Sequence, residues 1–475
     1  MVLGESVRAV SAVPAEAGAP RLVRTALTAS ELAAPMDFEV VLKLRNPDEL
    51  ADRVDHGQIL TMEEMTERYF PSDSDYQAVK SWLTSQGLTF TAEHGHHLAV
   101  FALGSAAQVR DAFQVAVGRV AFRGAEYTSA TTAPQVPADL APLLVGVNGL
   151  QPHLRVYPAP HPNSLTSNAS PYTPTQLAKA YNANGLTANG QGLTGAGQII
   201  AIVGGAYPLS SDLAKFWSLV GVTPNNTSYA TVPIAGGPTT ASIAADQQEA
   251  TLDAEWASTL APGATMRIYG APAGFDPAYA QIITDLPANP TLRQVSISYG
   301  SREIDTPTSQ LQTEQQYFLT LAALGVTVFA SSGDGGSRPD AAGSNYAPAN
   351  PLAVGDPASD PYVTAVGGTT LVLNATTGAV TTETAWSGSG GGASIFYSRP
   401  GWQTGLGVPA GTKRLVPDVA LAGDPADGAY QVINGSSTLQ GGGTSWACPS
   451  WAAFCALLNQ ACAGAGLPPV GLLGP

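Results

Sequence analysis

The chain has 475 residues, of which 12% are charged, and its formal net charge is −15 at pH 7. This acidity argues against nucleic acid and anionic membranes as partners, because both carry negative charge themselves. No stretch approaches the ~20 consecutive apolar residues of a transmembrane helix. The start of the chain has no basic segment followed by an apolar run, so no signal peptide is visible.

The first third of the chain predicts a small α+β domain. Residues 1–35 are rich in Ala, Val and Pro without a clear period, which predicts a disordered or frayed amino terminus. Within residues 36–153, Thr61 opens a short predicted helix with a capping box. The hydrophobic pattern then predicts helices at 74–86 and 106–113 and strands at 38–45, 88–92, 98–103 and 120–127.

Residues 154–171 are rich in Pro, Ser and Asn, which predicts an extended, exposed linker and a place for cleavage. The rest of the chain, residues 172–475, alternates predicted strands and helices. This alternation predicts a parallel sheet with helices on both faces, in which ligands bind at the carboxyl ends of the strands. The predicted strands are 199–203, 265–269, 295–298, 326–330 and 363–366, and the predicted helices are 211–220, 247–260 and 313–324.

One stretch near the end is a candidate for nucleophilic chemistry. Residues 442–449 read Gly-Gly-Thr-Ser-Trp-Ala-Cys-Pro, and the apolar run at 451–458 predicts a buried helix. The two glycines allow a tight turn. The turn puts Ser445 at the amino end of that helix, where the helix dipole and free N–H groups stabilise an oxyanion. The alternative is that Ser445 is only a helix N-cap.

A nucleophilic serine needs a base, and histidine is the usual one. All six histidines lie within the first 161 residues: His56, His94, His96, His97, His153 and His161. A catalytic Ser445 in a separate domain would therefore use a carboxylate, a lysine or a tyrosine. Glu249 and Asp253 are spaced to share one helix face, where two like charges so close leave one carboxyl protonated. The alternative is a solvated helix face, and three nearby acids are expected at the surface: Asp246, Glu255 and Asp340.

The cysteines of the serine helix are expected to serve as small apolar residues. They recur at intervals of seven residues, which is about 10 Å along a helix and too far for a disulfide. A nucleophilic role is not expected for any of the three: Cys448, Cys455 and Cys462.

The ordered set of motifs resembles the sedolisins, the family of serine-carboxyl peptidases, in their kumamolisin-like form. The resemblance rests on residues 443–445 with Pro449, on the Glu249–Asp253 pair, and on Ser-Ser-Gly-Asp at 331–334. Further matches in the family's order are residues 361–369, 386–392 and 417–420, and residues 60–70, 79–88 and 145–150 resemble the family's activation prodomain. The resemblance implies an α/β fold with a subtilisin-like parallel sheet, helices on both faces, and a small α+β (ferredoxin-like) prodomain before it.

The resemblance also implies roles for individual residues. Ser445 would be the nucleophile, Glu249 its general base and Asp253 the partner of Glu249, while Asp334, kept protonated, would donate to the oxyanion. An edge that pairs with extended substrate backbone would consist of Ser298, Tyr299 and Gly300. The implied protein is a secreted, monomeric, acid-acting endopeptidase on protein or peptide substrates. It would be made as a self-cleaving precursor whose prodomain acts as intramolecular inhibitor and chaperone.

Some features depart from the family pattern. Calcium is implied as a cofactor, but its usual ligands follow the serine helix, so the expectation is a peptidase domain without that carboxy-terminal part and with no metal ligand in this chain. Some relatives have a tryptophan where Tyr299 stands and a glutamate near Gly204, which would alter the hydrogen bonds behind the carboxylate pair. Two alternatives remain: a non-catalytic peptide-binding relative that keeps the fold, and a glycosidase that uses Glu249 and Asp253.

Overall fold

The structure is a computed structural model that describes residues 1–14, 18–154, 157–158, 171–223, 229–238, 244–271, 274–340 and 346–473. The helices are α1 Ala29–Ala33, α2 Pro47–Asp55, α3 Met62–Arg68, α4 Asp73–Ser85, α5 Ala106–Phe113, α6 Pro174–Ala180, α7 Ser210–Val220, α8 Ala244–Leu260, α9 Asp276–Asp285, α10 Thr308–Ala323 and α11 Thr444–Gly464. Short 3₁₀ turns are Gly4–Ser6, Ala141–Leu143 and Glu303–Asp305.

The strands of the first part are β1 Arg21–Arg24, β2 Pro35–Leu42, β3 Thr89–Ala92, β4 Ala99–Ser105, β5 Val117–Phe122, β6 Ala125–Ala130, β7 Leu144–Asn148 and β8 Tyr157–Pro158. Those of the second part are β9 Thr187–Ala188, β10 Gln191–Gly192, β11 Ile199–Gly204, β12 Ala230–Pro233, β13 Thr265–Gly270, β14 Leu292–Ile297, β15 Tyr299–Arg302, β16 Thr327–Ser331, β17 Gly355–Asp356, β18 Thr364–Leu373, β19 Val380–Ala385, β20 Gly392–Ser398, β21 Lys413–Val416, β22 Val419–Ala422, β23 Ala429–Ile433 and β24 Ser436–Gly441.

The first part is built on an antiparallel sheet in the order β3-β4-β2-β7. Val40 in β2 is fully buried and is paired with Val100 on one side and Val147 on the other. Helices α4 and α5 add Val79 and Phe113 to the same apolar core. The predicted α+β domain is therefore present, and each predicted helix and strand of this part overlaps an observed one.

Two expectations for the first part differ from the structure. The predicted single strand at 120–127 is a hairpin, because Arg123 and Gly124, with φ of 49° and 77°, turn the chain between β5 and β6. The expected frayed start is structured at residues 1–14 and 18–35, where β1 pairs with β5 and the N–H of Leu3 bonds to the carbonyl of Pro134. The four residues of β1 are too few to show a period in the sequence. The domain division at 36–153, 154–171 and 172–475 stays a prediction.

The second part is built on an eight-stranded sheet in the order β12-β13-β11-β14-β16-β18-β19, with β22 also beside β18. All pairs from β12 to β18 are parallel, and only β19 joins antiparallel. The predicted strands 199–203, 265–269, 295–298, 326–330 and 363–366 are all among them. The parallel pairs place the ends of β14 and β16 at the same edge of the sheet, just before Ser298 and Ser332.

Helices cover both faces of this sheet. Ile200 and Ile202 of β11 pack with Trp256 of α8 and Trp446 of α11, whose rings lie 5.0 Å apart. The residues of β11 that alternate with these two isoleucines pack into a second core on the other face of the sheet. That core also contains residues of α9, of α10 and of the first part of the chain. Alternate residues of one strand therefore serve two cores, which explains the nearly continuous apolar sequence of β11.

In the described part of the chain, no helix combines the length and the apolar character needed to cross a membrane. The cysteines of α11 form no disulfide, as expected: Cys448 and Cys455 are buried and Cys462 is partly exposed. Burial raises the pKa of the Cys448 thiol to about 12. Cys448 is therefore a neutral thiol at physiological pH and a poor nucleophile.

Candidate active site

Ser445 is the second residue of the 21-residue helix α11 and is fully buried. Gly443 caps the helix with φ 85°, a left-handed conformation that favours glycine, as the sequence predicted. Pro449 has no N–H for the carbonyl of Ser445, and Ser298 Oγ lies 3.4 Å from that oxygen instead. The Ser445 hydroxyl itself lies 3.3 Å from the carbonyl oxygen of Ser298 and donates to it.

The carboxylate pair lies on one buried face of α8, beside α11. Glu249 is 1% exposed and Asp253 0%, so the alternative of a solvated helix face is wrong. Ser298 Oγ donates a 2.7 Å hydrogen bond to Asp253 Oδ1. Burial raises the pKa of both carboxyls well above their usual range, and the charge of Asp334 raises that of Glu249 further. Hydrogen bonding with Ser445 and Ser298 opposes the rise at Glu249.

The two carboxyls also share a hydrogen bond. Because two buried like charges resist ionising together, the pair holds one proton between its members. Both residues lie on the same helix face, so their spacing in the sequence does not distinguish the two possible positions of that proton.

Asp334 follows β16 and is 8% exposed. Its Oδ1 accepts two hydrogen bonds from Thr444, one from the backbone N–H at 2.8 Å and one from the side-chain hydroxyl at 2.9 Å. Thr444 Oγ1 in turn accepts from the N–H of Gly333 at 3.1 Å. Because Oδ1 is an acceptor in both bonds, Oδ2 is the oxygen that can carry a proton and donate it.

The short strand β15 directly follows Ser298 and is the central strand of a three-stranded sheet. Two residues of the expected linker form β8 and pair with it antiparallel, Tyr157 opposite Gly300 and Pro158 opposite Tyr299. The linker is thus held in a sheet here rather than free in solvent, while its residues 155–156 and 159–170 lie outside the described residues. On its other side, β15 pairs with β17, so closely that a Cβ at Gly300 would lie 2.7 Å from the carbonyl oxygen of Asp356.

The structure adds details that the sequence did not indicate. Thr444 holds Asp334 through hydrogen bonds. The only sequence signal for this role of Thr444 is its position next to Ser445. Ser298, which is expected at the substrate edge, directs its side chain toward Asp253. Glu255, expected at the surface, is fully buried and accepts the N–H of Val432 at 3.1 Å.

The structure also shows the surroundings of Tyr299, which stands where some relatives have a tryptophan. The Tyr299 ring is buried and lies 3.5 Å from where a Cβ would stand at Gly204. Its hydroxyl lies 3.4 Å from the N–H of Gly205, and Phe275 packs edge-on against the ring at 5.1 Å. The tyrosine therefore fills the space beside Gly204, directly behind the carboxylate pair.

Calcium has no evident site in the described part of the chain, where no group of three or more His, Cys, Asp or Glu side chains could hold a metal ion. The described residues therefore do not fit the calcium site that the resemblance implies, and calcium binding stays a prediction.

A parallel sheet with helices on both faces, and a buried serine at the start of one of those helices, are the features of a subtilisin-like peptidase. Residues 26–152 match the family described as Pro-kumamolisin, activation domain. The chain is 34% identical to kumamolisin of Bacillus sp. (strain MN-32) over 471 residues, which cover 92% of this chain and 81% of that protein. It is 30% identical to sedolisin of Pseudomonas sp. (strain 101), over 92% of this chain and 79% of the relative.

Among solved structures, Pseudomonas sedolisin, a serine-carboxyl proteinase complexed with pseudo-iodotyrostatin, aligns with a TM-score of 0.54 at 29% identity. The alignment covers 64% of this chain and 84% of that one. The chain belongs to the sedolisin family of serine-carboxyl peptidases, and its activation domain marks it as a zymogen. The alternatives of a non-catalytic relative and of a glycosidase are therefore not favoured.

Proposed function

We propose that the protein is an acid-acting endopeptidase that cleaves itself out of its precursor, with Ser445 as nucleophile, Glu249 as general base and Asp334 as oxyanion donor. The observation that carries the proposal is the convergence of side chains from α11, α8 and the end of β16. Ser298 contacts both Asp253 and Ser445, while Thr444 holds Asp334 next to Ser445. Each is 8% exposed or less. Isolated surface acids would not meet in this way, and burial is what shifts carboxyl pKa values into a catalytic range.

In the proposed mechanism the shared proton is on Asp253 and Glu249 is the ionised acceptor. Hydrogen bonding with Ser445, which lowers the pKa of Glu249, supports this assignment. Glu249 takes the serine proton as the oxygen attacks the peptide carbonyl, and returns it to the leaving amine when the peptide bond breaks. Asp253 keeps Glu249 in place through their hydrogen bond, and Ser298 fixes Asp253 from the other side.

Asp334 supplies the second part of the mechanism. Its Oδ1 is held by the two bonds from Thr444, which leaves Oδ2 to carry a proton toward the negative oxygen of the tetrahedral intermediate. A carboxylic acid serves as a donor only while it is neutral. The charge of Asp334 acts on Glu249, so the two carboxyls resist ionising together and one neutral member is favoured.

Substrate binding is assigned to the backbone of β15. The strand pairs with Tyr157 and Pro158 of the linker, which supports a mode in which an extended peptide adds to this edge. The linker would then be the first substrate of the precursor. Tyr299 and Gly300 contribute main-chain groups to this edge, whereas the Ser298 side chain belongs to the catalytic pair.

We further propose that the substrates are proteins or peptides, that the enzyme works outside the cell as a monomer, and that its own activation domain inhibits it until cleavage. Sparse charge suits an acidic medium, because few basic groups remain to repel one another once carboxylates are protonated. The net charge of −15 supports the expectation that neither nucleic acid nor an anionic membrane is a partner.

The test is a Ser445→Ala precursor, incubated in acid and followed by mass spectrometry. We expect a folded chain that stays intact, while the wild type is shortened within residues 154–171. Ser450→Ala is the matched control, because Ser450 is equally buried in α11 but only donates to the carbonyl of Trp446 at 2.8 Å. Maturation of purified Ser445→Ala at the wild-type rate would exclude Ser445 as the nucleophile.

A further inference from the structure

Two stacked histidines lie at the contact between the activation domain and the peptidase domain. His94 and His96 belong to the loop between β3 and β4, and their rings are 5.3 Å apart with planes inclined by 4°. They are 6% and 4% exposed. Their hydrogen bonds cross to helix α9 of the peptidase domain, within an apolar cluster that joins Phe70 and Phe101 to Tyr317. We infer that this histidine pair is an acid-sensitive latch, which holds the activation domain when neutral and loosens it when protonated.

The hydrogen bonds of His96 require the neutral ring. Its Nδ1 lies 3.2 Å from the N–H of Leu98 and accepts from it. Its Nε2 lies 3.1 Å from the carbonyl oxygen of Ala280 in α9, so this nitrogen carries the hydrogen and donates. A second proton would have to sit on Nδ1, facing the N–H of Leu98, and would break that bond.

His94 is fixed in the other neutral form. The hydroxyl of Thr284 donates to the carbonyl of Ala280 at 3.0 Å, so its oxygen accepts from His94 Nδ1 at 2.9 Å. The remaining nitrogen, Nε2, is buried and has no hydrogen-bond partner among the described residues. A proton there would be a buried charge without an acceptor, which is costly.

The surroundings offer little compensation for an imidazolium. The carboxylate that acts on His94 is Asp285, and its Oδ2 already accepts from Arg267 at 2.6 Å and from the hydroxyl of Tyr269 at 2.9 Å. The third histidine of the loop, His97, lies 3.1 Å from the carboxylate of Asp73, and its charge would oppose a proton on His96.

The remaining contacts of the pair are aromatic. Phe70 and the edge of Tyr317 face His96, and Phe101 faces His94, with ring centroids 5.6–6.5 Å away. Burial lowers the pKa of His94 to about 4 and that of His96 to about 3. Once the domains separate, both rings meet water and regain an ordinary pKa of about 6.5. Protons therefore bind the separated state more readily, and docking weakens as the pH falls below that value.

Another contact between the two domains responds to pH in the opposite direction. Glu39 of β2 and Asp276 of α9 share a buried hydrogen bond, and burial raises the pKa of both. These carboxyls are protonated more readily when docked, so they tighten the contact in acid. The histidines and the two carboxyls therefore change the strength of the contact in opposite directions as the pH falls. This difference in direction allows an experiment to separate the effect of the latch from that of the carboxyls.

The test compares opening of the contact in the full-length Ser445→Ala precursor with opening in the same chain carrying His94→Asn and His96→Gln. Asparagine places an amide N–H near the position of Nδ1 and glutamine near that of Nε2, so each donor is kept without titration. Hydrogen exchange, corrected for intrinsic rates, is followed at residues 94–103 and 276–285 from pH 7 to pH 4.5. Relative to the substituted chain, we expect the histidine-containing chain to open about tenfold more per histidine for each pH unit below ~6.5.

In the substituted chain, opening should stay flat or decrease toward acid, because the Glu39–Asp276 contact, which tightens in acid, is retained. The control is His153→Asn, since His153 is equally buried but bonds to Ser129 within the first part of the chain. That variant should keep the acid response. Equal pH slopes with and without His94 and His96 would overturn the latch, as would NMR titration of either ring near pH 6.5 in the intact precursor. The inactive background keeps this result independent of the catalytic roles.

Discussion

The backbone N–H of Thr444 donates a 2.8 Å hydrogen bond to Asp334 Oδ1, which ties the end of strand β16 to the first residue of the helix that carries Ser445. The Thr444 hydroxyl donates to the same oxygen at 2.9 Å and accepts from Gly333 at 3.1 Å. One residue thus orients the proposed oxyanion donor relative to the proposed nucleophile.

Thr444→Val should therefore impair the chemical step. The substitution keeps the shape and the backbone N–H but removes the hydroxyl between Gly333 and Asp334. A hydrogen bond to a charged or acidic group contributes about 1.5–3 kcal/mol, so we expect kcat to fall at least about tenfold while KM changes little. Steady-state kinetics on a peptide substrate measure both. Thr444→Ser keeps the hydroxyl and should retain activity, and equal kinetics for the two variants would contradict this role.

Ser298→Ala should shift the pH profile rather than substrate binding. Hydrogen bonding by the Ser298 side chain lowers the pKa of both carboxyls of the pair, and its bond to Asp253 Oδ1 is 2.7 Å long. Without it, Glu249 stays protonated to a higher pH, so the acid limb of kcat/KM should move upward. Ser301→Ala on the same edge is the control, because the Ser301 hydroxyl bonds only to Thr306 at 3.1 Å. An acid limb that stays in place would exclude Ser298 as a positioning residue.

Much of the fold was predictable because its signals are local. The apolar runs of β11 and β16 and the stripe of α4 depend on periodicity alone, and so do the positions of Glu249 and Asp253 on one face of α8. The order of motifs then indicated the family. Ser445 was recognisable because two glycines and a buried helix frame it in the sequence.

The features that the sequence does not predict depend on contacts between segments that are distant along the chain. Thr444 meets Asp334 across 110 residues, and Ser298 meets Asp253 across 45. The pairing of β8 with β15 joins residues that no local pattern relates, so the linker was expected to be exposed. The sequence predicts Glu255 at the surface, because charged residues are usually exposed. In the structure it lies in the core, where it accepts a hydrogen bond from a backbone N–H of β23.

Asp360→Asn should flatten the pH dependence of stability. Asp360 is fully buried and accepts the N–H of Tyr362 at 2.7 Å, and burial raises its pKa to about 7. The folded chain therefore binds more protons than the unfolded chain between about pH 4 and 7. Each such group lowers the free energy of unfolding by up to about 1.4 kcal/mol per pH unit as the pH rises through that range.

Asparagine keeps the acceptor without titrating, so the difference between Asp360→Asn and its parent should grow from acid to neutral pH. Urea unfolding of both chains in the Ser445→Ala background, at pH 4.5 and pH 7, measures this difference. The exposed Asp139→Asn is the control and should show no such change. A difference that is the same at both pH values would mean that Asp360 is ionised in the folded chain.

The proposed mechanism requires two carboxyls to have opposite protonation states at the same pH. Glu249 must be ionised to accept the serine proton, while Asp334 must be neutral to donate to the oxyanion. In strong acid Glu249 is protonated and the base is lost; toward neutral pH Asp334 ionises and faces the oxyanion with a negative charge. We therefore expect a bell-shaped profile of kcat/KM confined to acid.

Asp334→Asn separates the two limbs. The amide keeps a donor that does not titrate, so the alkaline limb should move upward even if the peak rate falls. The charge of Asp334 raises the pKa of Glu249, so removing that charge should leave the acid limb in place or move it to lower pH, never to higher pH. Profiles of both enzymes on one peptide, each activated beforehand, provide the measurement. A wild-type optimum near neutral pH, or an alkaline limb shared by both enzymes, would assign the titration to another group, and Asp334 would then be a structural anchor for Thr444 rather than the oxyanion donor.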